Sequence, residues 1–307
     1  MSNSVPALAF HEPAEPLVLS AARSLAARLN ACQIVSRSVV NTVMNEIFGG
    51  SDAAGRWSVR DAHAALELGQ VLHLQQNPAL TCGLEPELAD EAFSRLEALV
   101  PSQNNRSAEQ IELQQFATPP RLAWIATRAC AIAPGELVLE PSAGTGMLAV
   151  WADKAKARLA LNEISPLRRE CLGALFPSAS VTGHDGEQID ELLGADVAPS
   201  VVLMNPPYSY GLERGHDGRT GARHLRSAWK RLLPGGRLVA VMPEWFDLPR
   251  FLGAISEPVA LRLNAAIERA FVKQGTSITT RLLVLDKADG GDSPVIARPT
   301  SFAELCF

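Results

Sequence analysis

Val201-Val202-Leu203-Met204-Asn205-Pro206-Pro207-Tyr208 is a short apolar run that ends in two prolines. Four apolar residues in succession read as a buried strand. Neither proline can donate to a sheet ladder, so the chain must leave the sheet at the strand's C-terminal end. In an open α/β sheet, ligands bind at that edge. The two rings stiffen the loop, which fixes how Asn205 and Tyr208 are presented. The Asn205 amide oxygen can accept from an amino group, and so can the Pro206 carbonyl. Tyr208 offers an aromatic face on which a flat base can stack. This is a holder for a planar exocyclic amine.

The same strand-then-turn grammar surrounds it. Leu137-Val-Leu-Glu140 is a strand whose turn is Pro141-Ser-Ala-Gly144-Thr-Gly146. Further strands are expected at 158–162, 180–183, 236–242, 259–263 and 280–285, which makes seven with 201–204. Helical stretches separate most of them, which predicts an α/β fold with a parallel, doubly wound sheet.

The glycines of the first turn let a ligand approach the backbone closely. The turn is neither GxGxxG nor a lysine-bearing phosphate loop, so a cofactor without a pyrophosphate suits it better. Acids stand at three successive strand ends. Glu140 can bind an ammonium group. Glu163, about twenty residues beyond the glycines, can accept from ribose hydroxyls. Asp185 can accept from an adenine amine.

With these residues in order, the chain resembles the class I S-adenosylmethionine-dependent methyltransferases. More narrowly, it resembles those that act on N6 of adenine in DNA. The matching pieces are Gln114-Gln-Phe116-Ala-Thr118-Pro-Pro120, Glu140-Pro141-Ser-Ala-Gly144-Thr-Gly146, Glu163, Asp185, Asn205-Pro206-Pro207-Tyr208 and Phe271-Val-Lys-Gln-Gly-Thr276. Their order looks like the gamma arrangement of that family. The helical front and these motifs are also similar to the methyltransferase part of bacterial strawberry-notch-like proteins.

The resemblance implies a Rossmann-like, seven-stranded methyltransferase sheet with S-adenosylmethionine as cofactor. It implies that Phe116 and Thr118 line the methionine end, that Gly144 and Gly146 pass under the cofactor, and that Glu140, Pro141, Glu163, Asp185 and Asn205 complete its site. Asn205, Pro206, Pro207 and Tyr208 would hold the target amine, and Tyr208 with Phe271 would sandwich a flipped base. Neither a metal nor a covalent nucleophile is required. The rivals are an RNA adenine, a protein glutamine amide, or a silent module that binds cofactor or DNA without turnover. The gamma family usually carries a recognition domain after the Phe271-like motif. Here only Lys287 to Phe307 follow, too few for a domain.

Four units are expected: a flexible arm (1–15), a helical N-terminal domain (16–106), the methyltransferase domain (107–290) and a tail (291–307). In the front, Leu17, Ala21, Leu25 and Leu29 share one helical face, and Ile34, Val39, Val43 and Ile47 another. Gly49-Gly50 ends that second helix. Ser58 with Asp61 is a capping-box signal. The next face carries Ala62, Ala65, Leu66, Leu72 and Gly69, the glycine suggesting a close helix contact. Leu88, Phe93, Leu96 and Leu99 form the last face. Trp57, His63 and His73 read as packing or surface residues. Ser107 with Gln110 caps a further helix, and Thr118 would cap the next, with Pro119 at its first position.

Of the 307 residues 47% are hydrophobic, and the net charge is −5. Residues 1–110 hold 7 Lys and Arg against 12 Asp and Glu, and the remaining 21 of each sign cancel. The whole is no polycation seeking nucleic acid. Five single cysteines (Cys32, Cys82, Cys130, Cys171, Cys306) form no zinc pattern, and reduced thiols fit a cytoplasmic protein. No signal peptide or membrane-spanning run is read. Between Gly211 and Arg237 lie seven basic residues against two acids. This stretch, with Arg219, Arg223 and Arg226 foremost, could follow a phosphate backbone. The alternative is an ordinary solvated helix face, and His184, His216 and His224 read as surface residues.

Overall fold

A computed structural model describes residues 15–103, 117–208 and 219–288. Phe116, the Ser107 cap, Arg214, His216 and Cys306 lie outside them.

The chain begins with four helices, α1 (Leu17–Asn30), α2 (Arg37–Phe48), α3 (Val59–Gln76) and α4 (Pro86–Leu99). Local chemistry sets their ends. Ser58 and Asp61 form the complete capping box of α3, and Gly49 closes α2 at φ 68°. Ala21, Leu25 and Leu29 are fully buried. Leu17, Ile34 and Leu88, expected on inner faces, point to solvent instead. In α2 the inner face is Val40, Val43 and Met44, because the helix starts only at Arg37. Gly69 sits at the α1–α3 crossing, where a Cβ would lie 3.2 Å from both the Ala22 carbonyl and Leu25 Cβ.

Seven strands follow: β1 (Leu137–Glu140), β2 (Arg158–Asn162), β3 (Ser180–Thr182), β4 (Val201–Met204), β5 (Arg237–Pro243), β6 (Val259–Ile267) and β7 (Thr280–Lys287). They form one sheet in the order β3-β2-β1-β4-β5-β7-β6. The sheet is not wholly parallel as expected: β7 runs antiparallel to both β5 and β6. Only a short 3-10 turn, Val272–Gln274, lies between β6 and β7. A parallel return is usually carried by a crossover helix, and residues 268–279 form none.

The pleat divides the core in two. Val138, Val201, Leu203, Val239, Val241, Leu282 and Val284 face one side. Leu139, Val202, Met204, Leu238, Ala240, Met242, Leu283 and Leu285 face the other. This is strand alternation with both faces buried. On the first side the core runs without a break into α1, α3 and α4. Phe93 of α4 packs against Trp124 and Trp151, with ring centroids 5.9 and 5.8 Å apart. Trp124 Nε1 donates to the Thr81 carbonyl at 3.0 Å, and Lys154 Nζ to that of Asn77 at 2.8 Å. The helical front is thus packed onto the sheet.

The basic stretch after β4 is largely consumed by this architecture. Arg223 makes two bonds to the Glu187 carboxylate, at 2.7 and 2.8 Å. Lys230 pairs with Asp190 at 2.6 Å. Arg231 donates to the carbonyls of Gly194 and Val197. Arg237, 1% exposed, binds Asp286 bidentately across the β5–β7 register. Of the three arginines expected at phosphates, Arg219 and Arg226 are exposed, while Arg223 is committed to Glu187. Of the seven basic residues, Arg223, Lys230 and Arg237 are in ion pairs and Arg231 is bound to carbonyls.

Among the described residues no helix is long and apolar enough to cross a membrane. None of their His, Cys, Asp and Glu groups could hold a metal ion. Cys32, Cys82 and Cys171 are free thiols.

Candidate active site

The strand order reverses between β1 and β4, which opens a crevice at their C-terminal ends. A cavity of about 270 Å³ lies there, walled by the turns after β1, β2, β3 and β4. Of the cofactor residues expected from the sequence, Thr118, Glu140, Pro141, Gly144, Glu163 and Asn205 line it, and so do Pro206, Pro207 and Tyr208.

Gly144 has φ 57°, and a Cβ there would meet nothing within 4 Å, so its backbone faces open space. Gly146, at φ 88°, does a different job. A Cβ there would lie 2.7 Å from Phe176 Cε2, so it is needed for close packing under the turn, and it does not line the cavity.

Glu140 is 3% exposed and its Oε2 has no hydrogen-bond partner. Burial, with the charge of Glu163, pushes its carboxyl well above the usual carboxylate range. Such an orphaned buried acid fits an ammonium ligand. Glu163 uses Oε2 to accept from Gly144 N at 2.8 Å and Oε1 to accept from Ser165 N at 2.9 Å. It therefore shapes the glycine turn. Asp185 does not line the cavity; its Oδ1 caps the following turn at Glu187 N, 3.0 Å away.

The β4 loop is tied to the segment before the sheet. Asn205 Nδ2 donates to Thr118 Oγ1 at 3.0 Å, and the Tyr208 hydroxyl donates to Asn205 Oδ1 at 3.0 Å. Thr118 does not cap a helix: the next helix begins at Pro120, with Pro119 as its N-cap and no side-chain cap bond. Tyr208 is 2% exposed, and burial raises its phenol above the usual range. Phe271 is fully buried in the apolar core between sheet and helices, so it offers no face to a base.

Sequence reasoning missed four residues. Asn162, the last residue of β2, donates to the Pro141 and His184 carbonyls, both at 2.9 Å. Its oxygen accepts from Thr182 Oγ1 and His184 N. It thereby staples three strand ends, and a single polar residue closing an apolar strand was its only signal. Glu67 reaches into the cavity from α3, accepting from Thr145 Oγ1 and Gln103 Nε2 at 3.4 Å. Burial raises its carboxyl, with the Arg168 charge pulling back. His224, read as a surface residue, is 3% exposed and lines the cavity. Trp245, after β5, is half exposed and stands edge-on to Tyr208, at 6.4 Å and 85°.

No family model matches the chain. A stretch of 118 residues is 29% identical to ribosomal RNA small subunit methyltransferase C of Chromohalobacter salexigens, covering 38% of this chain and 34% of that protein. The chain thus spans about a third of that relative's length. Among solved structures, TrmN from Thermus thermophilus is 24% identical over 55% of this chain and 48% of its own, with a TM-score of 0.43. A candidate class I S-adenosylmethionine-dependent methyltransferase from Listeria monocytogenes is 14% identical over 94% of this chain and 97% of its own, with a TM-score of 0.49. The strand order, the one antiparallel strand β7 and the cavity at the switch point give this chain the Rossmann-like fold of the class I S-adenosylmethionine-dependent methyltransferases.

Proposed function

We propose that the chain binds S-adenosylmethionine and methylates the exocyclic amine of a nucleic-acid base, N6 of adenine in DNA being the reading its motifs favour. One observation carries this. The orphaned carboxylate of Glu140 and the amine-holding pair Asn205 and Pro206 line a single cavity beside the open Gly144 turn. Glu140 would take the cofactor's ammonium group and Glu163 its ribose hydroxyls, while Asp185, expected at the adenine amine, lies outside the cavity and would act only by shaping the turn at Glu187. The bound cofactor supplies an electrophilic methyl group on a sulfonium.

Asn205 Oδ1 and the Pro206 carbonyl accept the two protons of the target amine and turn its lone pair toward that methyl. The loop would hold the amine in line with that group and let its surplus proton pass to water once the amine has been methylated. Rate enhancement comes from positioning rather than from acid–base chemistry. With Phe271 buried and Tyr208 nearly so, half-exposed Trp245 is an aromatic surface on which a flipped base would stack.

An RNA substrate is the second reading. It is favoured by the ribosomal RNA methyltransferase relative. Tritium transfer from labelled S-adenosylmethionine to DNA, RNA and protein separates the readings. Label in adenine of DNA supports the first, and label in RNA the second. Label confined to protein, or no transfer by a chain that binds no cofactor, overturns the proposal.

A further inference from the structure

Tyr208 ends the Asn-Pro-Pro-Tyr loop with its ring closed in. The residue is 2% exposed and stands edge-on to Trp245, with centroids 6.4 Å apart and planes at 85°. A stacked base needs an open aromatic face, which a ring so enclosed does not present. What Tyr208 does present is its hydroxyl, which donates to Asn205 Oδ1 at 3.0 Å. Burial raises the phenol above its usual range, so it keeps its proton and stays a donor at ordinary pH.

The Asn205 carboxamide is thereby held at both of its ends. Its Nδ2 donates to Thr118 Oγ1 at 3.0 Å, and its Oδ1 accepts from Tyr208. One hydroxyl stands 87 residues earlier in the chain and the other three residues later. The last torsion of an asparagine is broad, with no sharp staggered well to set the plane of the amide. A swinging carboxamide would aim its oxygen at the target amine only part of the time. Displacement at a methyl group depends steeply on alignment, so that loss would fall on the rate. An amide oxygen has two acceptor sites, and accepting from Tyr208 is compatible with accepting a proton of the target amine. The rings of Pro206 and Pro207 stiffen the turn between the two residues, so the spacing that closes this bond is fixed by the loop itself.

We propose that Tyr208 is a positioning residue whose hydroxyl sets the plane of the Asn205 carboxamide toward the target amine, a role its ring alone cannot fill. This rests on the reading of the loop as the holder of the amine that is methylated.

The test compares wild type with Tyr208→Phe, which keeps the ring and removes the hydroxyl. Tritium transfer from labelled S-adenosylmethionine to genomic DNA and to total RNA gives kcat and KM. Calorimetry with S-adenosylhomocysteine gives cofactor affinity. Tyr208→Phe should lose about tenfold in kcat, the scale of one lost hydrogen bond between neutral groups. Its KM for the nucleic acid and its cofactor affinity should stay near those of wild type. A stacking tyrosine gives another result, because phenylalanine stacks as well. Full kcat in Tyr208→Phe would therefore overturn the proposal. A raised nucleic-acid KM with kcat kept would put the side chain against the base and overturn it too. So would a joint loss of kcat and cofactor affinity, the mark of a merely structural role. A wild type that binds S-adenosylhomocysteine but labels neither DNA nor RNA would defeat the function reading itself, and this proposal with it.

Discussion

The Asn205 side-chain amide donates to the Thr118 hydroxyl at 3.0 Å, joining residues 87 apart in the chain. That bond sets the angle of the carboxamide whose oxygen faces Tyr208 and, in the proposed reaction, the target amine. Thr118→Val keeps the shape and removes the acceptor. Turnover should fall about tenfold, the scale of one lost hydrogen bond between neutral groups, with a smaller change in cofactor affinity. Asn205→Ala should reduce turnover far more, with cofactor affinity near normal. Steady-state kinetics beside calorimetry checks both. A Thr118→Val enzyme with full kcat would separate the hydroxyl from the loop's alignment.

Glu140 is buried without a partner for Oε2, and its carboxyl is raised by burial and by Glu163. An acid raised in the folded state binds more protons folded than unfolded. The ligand-free chain therefore loses stability as pH climbs above about 4.5 toward the folded value. Glu140→Gln should remove that loss and flatten the stability of the ligand-free protein across this pH range. The same change should weaken S-adenosylhomocysteine at least tenfold. Urea titrations across pH read the first effect, and calorimetry the second.

His224 acts in the opposite sense. Its folded value is lowered from 6.5 to about 4 by burial. The unfolded chain thus takes up a proton first, and stability falls as pH drops from about 6.5 to about 4, by ~2–3 kcal/mol. His224→Leu should flatten that limb. If thermal melts of the variant keep the wild-type slope there, the ring is solvated and charged.

Arg223 holds Glu187 and so braces the loop after β3 against the Thr220–Arg231 helix. Arg223→Ala should cost about 1 kcal/mol of stability, because the pair is bidentate but the arginine is partly exposed. It should leave the salt dependence of nucleic-acid binding unchanged, since this guanidinium is not offered to phosphates. A shallower salt slope in the variant would return it to the phosphate track.

The helical front shares one core with the sheet, through Phe93 against Trp124 and Trp151. It also lends Glu67 to the cavity. A 103–307 chain should therefore express as an aggregating, poorly folded protein and bind no cofactor. A monomeric fragment with a cooperative melt and normal S-adenosylhomocysteine affinity would show that the front is dispensable.

Strand edges, the glycine turn and the Asn-Pro-Pro-Tyr loop were legible in the sequence because their signals are local. Four apolar residues ended by two prolines can only leave a sheet, and Ser58 with Asp61 caps α3 whatever surrounds it. The direction of β7 went with a link, residues 268–279, that holds only the Val272–Gln274 turn and no crossover helix. What polar side chains bind was decided by the tertiary structure. Arg223 could have met a phosphate but met Glu187, and Thr118 could have capped a helix but took Asn205. His224 is buried while Arg226, two residues further along the same helix, is exposed. Which of the two turned inward followed from the side of the helix that meets the sheet. Phe271 carries the same aromatic face whether it stacks on a base or fills a core, and only packing of the β6–β7 link against the first-side core chose the second. A hydrogen bond or a burial is a relation between groups brought together across scores of residues, and no local pattern encodes its partner.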